Sequence, residues 1–111
     1  MDSSPYLKRL YREYNRKYFG GSLPKIWLIF GQAREWRASK LGKTTCAATF
    51  FEDGKPIGIA VRYYKHKSTN YFKADLLHEM AHVANPRASH GRAFKREMRR
   101  LMMAGAFDNI L

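Results

Sequence analysis

A single cysteine, Cys46, is all that this chain of 111 residues carries, which excludes an internal disulfide and any zinc ribbon built from cysteines. A metal, if one is held, rests on histidines and carboxylates. Acidic residues are also scarce: 9 Asp and Glu stand against 21 Lys and Arg, for a net charge of +12. The excess is spread along the chain rather than packed into a tail, so it describes a folded basic surface, and such surfaces attract polyanions, nucleic acid above all. No apolar run approaches the ~20 residues needed to cross a membrane, which points to a soluble protein. Met1 to Pro5 is polar and precedes a charged amphipathic stretch. The apolar core of a secretory signal is therefore lacking, and the cytoplasm is the default location, with association to the nucleoid open. Length for a second lobe is lacking too: residues 1–111 make one domain with one modest core, for which 45% hydrophobic residues suffice. There is no repeat, linker or low-complexity tract.

What is present reads as an α+β chain. A first helix is expected from about Pro5 to Phe19, with Ser3 or Ser4 as cap, Pro5 at the first helical position, and an apolar stripe of Leu7, Leu10, Tyr11, Tyr14 and Tyr18. Gly20 and Gly21 stop it. The β-prone run Ile26 to Phe30 is a first strand, Thr44 to Phe51 a second, and Pro56 to Tyr64 a third, the last two joined as a hairpin through Glu52-Asp53-Gly54-Lys55. The basic connection Gln32 to Gly42 separates the first two. Pro56 marks the third strand as an edge, since proline cannot donate to a sheet ladder. A second helix runs from Thr69 or Asn70 to about Ala84, ended by Asn85-Pro86, and a last helix from near Ser89 or His90 carries Phe94, Met98, Leu101 and Met102 up to Gly105. The expected architecture is an N-terminal helix, a small, mainly antiparallel three-stranded sheet, and two further helices covering one sheet face.

The second of these helices contains His78-Glu79-Met80-Ala81-His82, an HExxH pattern. Residues four apart on a helix differ by about 40° in direction and roughly 6 Å in height, so both imidazoles project from one face and can reach one ion. Glu79 lies about 100° round from His78, beside the ligands rather than between them. It can reach a water on the metal without becoming a ligand, which is the position of a general base. Leu77, Met80, Ala81 and Ala84 flank the histidines and anchor the helix to the core.

Two histidines do not complete a catalytic zinc site, which normally has three protein ligands and an open position. His90 is the better placed third ligand, because the seven residues between it and His82 let Asn85-Pro86 end the helix and turn the chain back. His66 competes, from the run Lys65-His66-Lys67 that reads as a solvated basic loop. Asp75, one turn before His78, is either an acceptor orienting an imidazole or a surface carboxylate. Tyr63 or Tyr64 is a candidate oxyanion donor by residue type alone, with core packing the favoured role for either. One Zn²⁺ is the expected ion, although three imidazoles also suit manganese and others.

At these residues the chain resembles the SprT-like metalloprotease family, which includes bacterial SprT and the Spartan proteases of DNA-protein crosslink repair. The stretch Tyr14-Asn15-Arg16-Lys17-Tyr18-Phe19-Gly20-Gly21-Ser22-Leu23-Pro24 is similar to the family's opening helix and its exit. Leu76-Leu77-His78-Glu79-Met80-Ala81-His82 is similar to its active helix, and His90-Gly91-Arg92-Ala93-Phe94 to the segment that supplies its third ligand. The resemblance implies a minimal zincin-like core in which His78, His82 and His90 hold zinc and Glu79 serves as the base. The interval from His82 to His90 is shorter than in several relatives and longer than the metzincin spacing, and the cysteine-rich ribbon of many relatives is absent. DNA contact is therefore expected from the core itself.

The function these observations support is zinc-dependent endoproteolysis with low sequence specificity, directed at DNA-associated or crosslinked proteins. An extended substrate would pair with an edge strand, expected at Pro56, Ile57, Gly58, Ile59, Ala60 and Val61. DNA, single-stranded by preference, would lie on Arg92, Lys95, Arg96, Arg99 and Arg100 of the last helix and on Arg34, Arg37, Lys40 and Lys43 of the connection. Trp36 among these either stacks on an unpaired base or is buried against the sheet. A monomer is favoured. The rival readings are a basic nucleic-acid module with a structural or regulatory metal, and a small hydrolase of some other substrate.

Overall fold

The structure is a computed structural model and describes residues 3–31, 46–63, 68–87, 89–108 and 110. Within them lie helix α1 (Pro5–Tyr18), strands β1 (Trp27–Gly31), β2 (Ala47–Glu52) and β3 (Lys55–Arg62), and helices α2 (Thr69–Ala84) and α3 (Arg92–Met103). None of these helices is long and apolar enough to cross a membrane.

Helix α1 begins where the hydroxyl of Ser4, in extended conformation, accepts from Leu7 N–H at 3.3 Å, with Pro5 filling the first position whose missing N–H costs nothing. It buries Leu7, Leu10 and Tyr11 and leaves its Lys and Arg residues in water. The exit is built from Asn15. Its backbone carbonyl receives the N–H groups of Phe19 and Gly21, while its side chain accepts from Leu23 N–H at 3.0 Å and donates to Leu23 C=O at 3.2 Å. Gly20 and Gly21 take φ of +62° and +74°, which an L side chain would resist.

The sheet is three-stranded, in the order β1-β3-β2. It corrects two expectations. The sheet is mixed, since β1 pairs with β3 in parallel while β2 and β3 form the antiparallel hairpin. Moreover β3, with Pro56, Ile57, Gly58, Ile59, Ala60 and Val61, is the central strand and not an edge. Pro56 is tolerated because the ladder with β1 starts only at Gly58, and on the other side Pro56 meets Phe51 just where the β2 register shifts. Strand addition to β3 is therefore blocked on both sides from Gly58 onward.

One sheet face carries Leu28, Phe30, Ile59, Val61, Ala47 and Thr49, in register across the three strands, and the helices cover it. The other face holds Trp27 above Gly58, with Phe50 beside it at 5.3 Å between ring centroids. Helix α2 packs against α1, α3, β2 and β3. It buries Phe72, Leu76, Leu77, Met80, Ala81 and Val83. The last helix starts at Arg92, later than expected, because Ser89 takes φ of +46° and the chain turns through His90 and Gly91 first. Beyond α3, Gly105 at φ +87° reverses the chain and returns Ala106 and Phe107 to the core.

A Cβ at Gly58 would stand 2.0 Å from Trp27 Cδ2. Gly58→Ala should lower stability by about 1–3 kcal/mol in urea unfolding, and most of that loss should vanish in a Trp27→Leu background, where the ring is gone.

Candidate metal centre

His78 and His82 stand one turn apart on α2, with ring centroids 5.2 Å apart. The turn of Ser89, His90 and Gly91 brings His90 over them, 5.7 Å from the His78 ring and 4.7 Å from that of His82. Nε2 of His82 and Nε2 of His90 are 3.2 Å apart, and one donor nitrogen from each of the three residues falls within 4.8 Å of the others. Two imidazoles on a tetrahedral zinc, at bonds of about 2.05 Å, have donor atoms about 3.3 Å apart. The His82–His90 pair stands at that spacing, and the trio could hold a metal ion with His90 as the third nitrogen. His66, the competitor, lies outside the described residues.

The rings are held by a fourth aromatic, Phe94 of α3. Its ring stacks on His82 at 4.2 Å and 17°, and presents edge contacts to His78 at 5.0 Å and to His90 at 5.1 Å. Only 5% exposed, it ties the three imidazoles to the core. In the sequence Phe94 stood in an apolar stripe and closed the His90-Gly91-Arg92-Ala93-Phe94 segment, with no role of its own assigned at the site. The signal that would have singled it out is its spacing four residues after His90.

Burial, followed by the charge of His90, pushes His78 below its usual range against the opposing pull of Asp75. The same causes in the same order, with His78 and His90 as neighbours, push His82 down to about 4. Both rings are therefore neutral near pH 7, which is the form that donates a lone pair to a metal.

Glu79 is 6% exposed and is the one buried charged residue among those described. Burial raises its carboxyl to about 7, with the hydrogen bond from Thr49 opposing and Asp75 adding to the rise. The Thr49 hydroxyl donates to Oε1 at 2.8 Å, and Oε2 lies 4.0 Å from Nε2 of His78, beside the ligand cluster. Thr49 was not legible in the sequence as a site residue. It is thirty positions from Glu79, and only the pairing of β2 with β3 turns it toward α2.

The chain matches the SprT-like family model over residues 7–109. It belongs to the SprT-like family. No curated protein and no solved structure matches it. Membership points to metalloprotease chemistry with zinc as the usual ion, and the histidine trio could hold such an ion.

Around the SprT-like centre a cleft of about 560 Å³ opens on one flank, where Ala47, Ala74, Asp75, Met98 and Phe107 border the histidines and Glu79. On the other flank a hollow of about 310 Å³ is lined by Thr49, Phe51, Pro86, Arg87 and Ser89 together with Glu79 and His82. Strand β2 runs from the first to the second. Of the two candidate oxyanion donors, Tyr63 lays its ring against Phe30 and Phe72 at the edge of the core and is 41% exposed, and Tyr64 is outside the described residues. Arg92, Lys95, Arg96 and Arg99 border one open hollow on α3. Arg100 points elsewhere, pairing with Glu97 and lying over the Phe19 ring at 5.3 Å. Arg34, Trp36, Arg37, Lys40 and Lys43 fall outside the described residues.

Because the folded value of Glu79 lies above the ordinary 4.5, its contribution to stability is full below about pH 4.5 and is lost as pH rises through about 7. Metal-stripped Glu79→Gln should therefore gain on the order of 2–3 kcal/mol relative to wild type between pH 4.5 and pH 8, read by urea unfolding at both. His82 moves the other way, its contribution present above about 6.5 and lost toward about 4. It is common to both proteins and cancels in the difference.

Proposed function

We propose that this SprT-like chain is a zinc-dependent endopeptidase of low sequence specificity that acts on DNA-associated proteins in the cytoplasm, next to the nucleoid. The observation that carries the reading is a buried carboxylate with a raised proton affinity set against three converging neutral imidazoles. A site that merely braced a fold would have no need to desolvate a glutamate there, which disfavours the structural-metal alternative.

His78, His82 and His90 would hold the ion. Zinc bound there would polarise a scissile carbonyl and make an attacking water more acidic. Glu79 would do the proton work at Oε2, since Thr49 occupies Oε1. In the metal-free chain burial raises the proton affinity of this carboxyl, which favours its taking a proton from the water, and the same atom would then donate it to the leaving amine. Thr49 keeps the carboxylate from rotating toward the imidazoles.

Substrate backbone would pair with β2, which among the described residues has β3 as its one strand neighbour and runs past the histidines. Main-chain hydrogen bonds read no sequence, so selectivity would come from the two hollows alone. An antiparallel substrate, the more stable pairing, would place the residue after the scissile bond toward Ala47, Met98 and Phe107, where an apolar side chain fits. Arg92, Lys95, Arg96 and Arg99 would grip phosphates, and Arg100 would take no part while it is paired with Glu97.

Two variants separate the roles at the centre. Glu79→Gln should retain one zinc per chain and lose casein cleavage by about 10²-fold or more, whereas His90→Ala should lose stoichiometric metal; cleavage retained in the first, or metal retained in the second, contradicts the assignment. Thr49→Val should keep metal and lower cleavage less than Glu79→Gln does, with the acid limb of the pH profile moved upward, because the bond that favours the carboxylate is gone.

For the basic face, retardation of labelled single-stranded DNA should weaken steeply with salt, and Arg92→Ala with Arg96→Ala should reduce the logarithmic salt slope by about 1–2. A slope that stays the same would remove this face from DNA contact.

A further inference from the structure

Away from the histidines, a second cleft of about 280 Å³ lies between α1 and the segment leading into β1. Lys8 and Arg12, one turn apart on α1, form one lip and Lys25 the other, over a floor of Leu23, Ile26 and Leu28. Among the described residues no acidic side chain lines it. Its walls are fixed in advance. The Tyr11 hydroxyl donates to Pro24 C=O at 2.6 Å, and the Asn15 side chain exchanges two hydrogen bonds with the backbone of Leu23.

The chemistry of the cleft selects its occupant. Its volume, at the lower end of the ~300–1,000 Å³ of small-molecule sites, has room for one or two side chains. The floor is aliphatic. A nucleic-acid base seeks an open aromatic face to stack on, and Tyr11, the one aromatic among the described residues of the lining, is 6% exposed with its hydroxyl held by Pro24 C=O. An aliphatic side chain, by contrast, needs only apolar area to cover. Three cations around such a floor call for carboxylates on either side of the anchor. Strand addition is closed off at this point, because Leu28 N–H already donates to Ser3 Oγ at 3.0 Å and Leu28 C=O accepts from Ser4 N–H.

From this complementarity we propose that the α1 cleft is a docking site for an acidic segment of a partner protein, in which one aliphatic residue is flanked by carboxylates. The cleft shares no residue with the histidine centre, and β1 and β2 lie on opposite sides of β3. An occupant therefore leaves the metal centre open. Recruitment of this kind selects which protein is presented, at a distance from the site where it is handled, and it stands whether or not the chain hydrolyses peptides.

The test is fluorescence anisotropy at physiological salt with a labelled peptide of one leucine flanked on both sides by aspartates, alongside the same peptide with serine for leucine. Binding should saturate, and Lys8→Glu with Arg12→Glu should weaken it about tenfold or more, as should the serine peptide. Lys25→Glu, outside any helix, should weaken it similarly and covers the case in which the α1 pair disturbs folding. Arg92→Glu with Arg96→Glu should leave it unchanged, and amide shifts in NMR spectra should cluster at residues 8–15 and 23–28. Equal binding of the serine peptide, an equal loss from the α3 reversals, or displacement of the peptide from this cleft by a single-stranded oligonucleotide bound in its place would each overturn the proposal.

Discussion

The rotation of α2 about its own axis is the constraint on which the rest of the molecule depends. Leu76, Leu77, Met80 and Ala81 are each fully buried within one arc of about 140° on the helix, and the helix as a whole packs on α1, α3 and the sheet. Turning α2 by one residue would carry two or three of these side chains into water, at about 1.5–3 kcal/mol for each large one. His78 and His82 emerge just outside that arc. Their direction is fixed by hydrophobic packing and not by any ion.

The same packing accounts for the unusual state of Glu79. A helix hemmed in on so many sides must bury some polar group if it also carries a site, and here the buried group is a carboxylate supported by one neutral donor, Thr49. A cationic side chain in place of Thr49 would have pulled the proton affinity of Glu79 down. The hydroxyl compensates part of the desolvation and leaves the rest in place, so the carboxyl stays above its ordinary range. Phe94 does the corresponding job for the imidazoles: with no polar atom of its own, it fixes their planes without competing for their nitrogens.

Much of this was legible in the sequence because it depends on short-range spacing. The four-residue interval of His78 and His82, the Gly20-Gly21 stop and the Asn85-Pro86 break are local events, and the helices α1 and α2 appear where local rules place them. His90 was readable because only the length of chain needed for a reversal was at issue. What escaped was set by strand order. A proline near the start of β3 reads as an edge signal unless it is known that β1 pairs only from Gly58 onward, and no window of sequence contains that fact. The partnership of Thr49 with Glu79 follows from the same strand order, and so does the return of Phe107 to the wall of the large cleft after Gly105.

The two borders of the sheet are unlike each other. At β1 the serine pair before α1 engages the backbone of Leu28 on its outer side, so that border is sealed at its middle. At β2 the described residues show a row of main-chain groups beside the histidines with nothing strand-like across from it. A sheet with one sealed border cannot propagate into a ribbon; two copies meeting through β2 would close on themselves and stop. Such a pair would cover the histidine cluster of each copy.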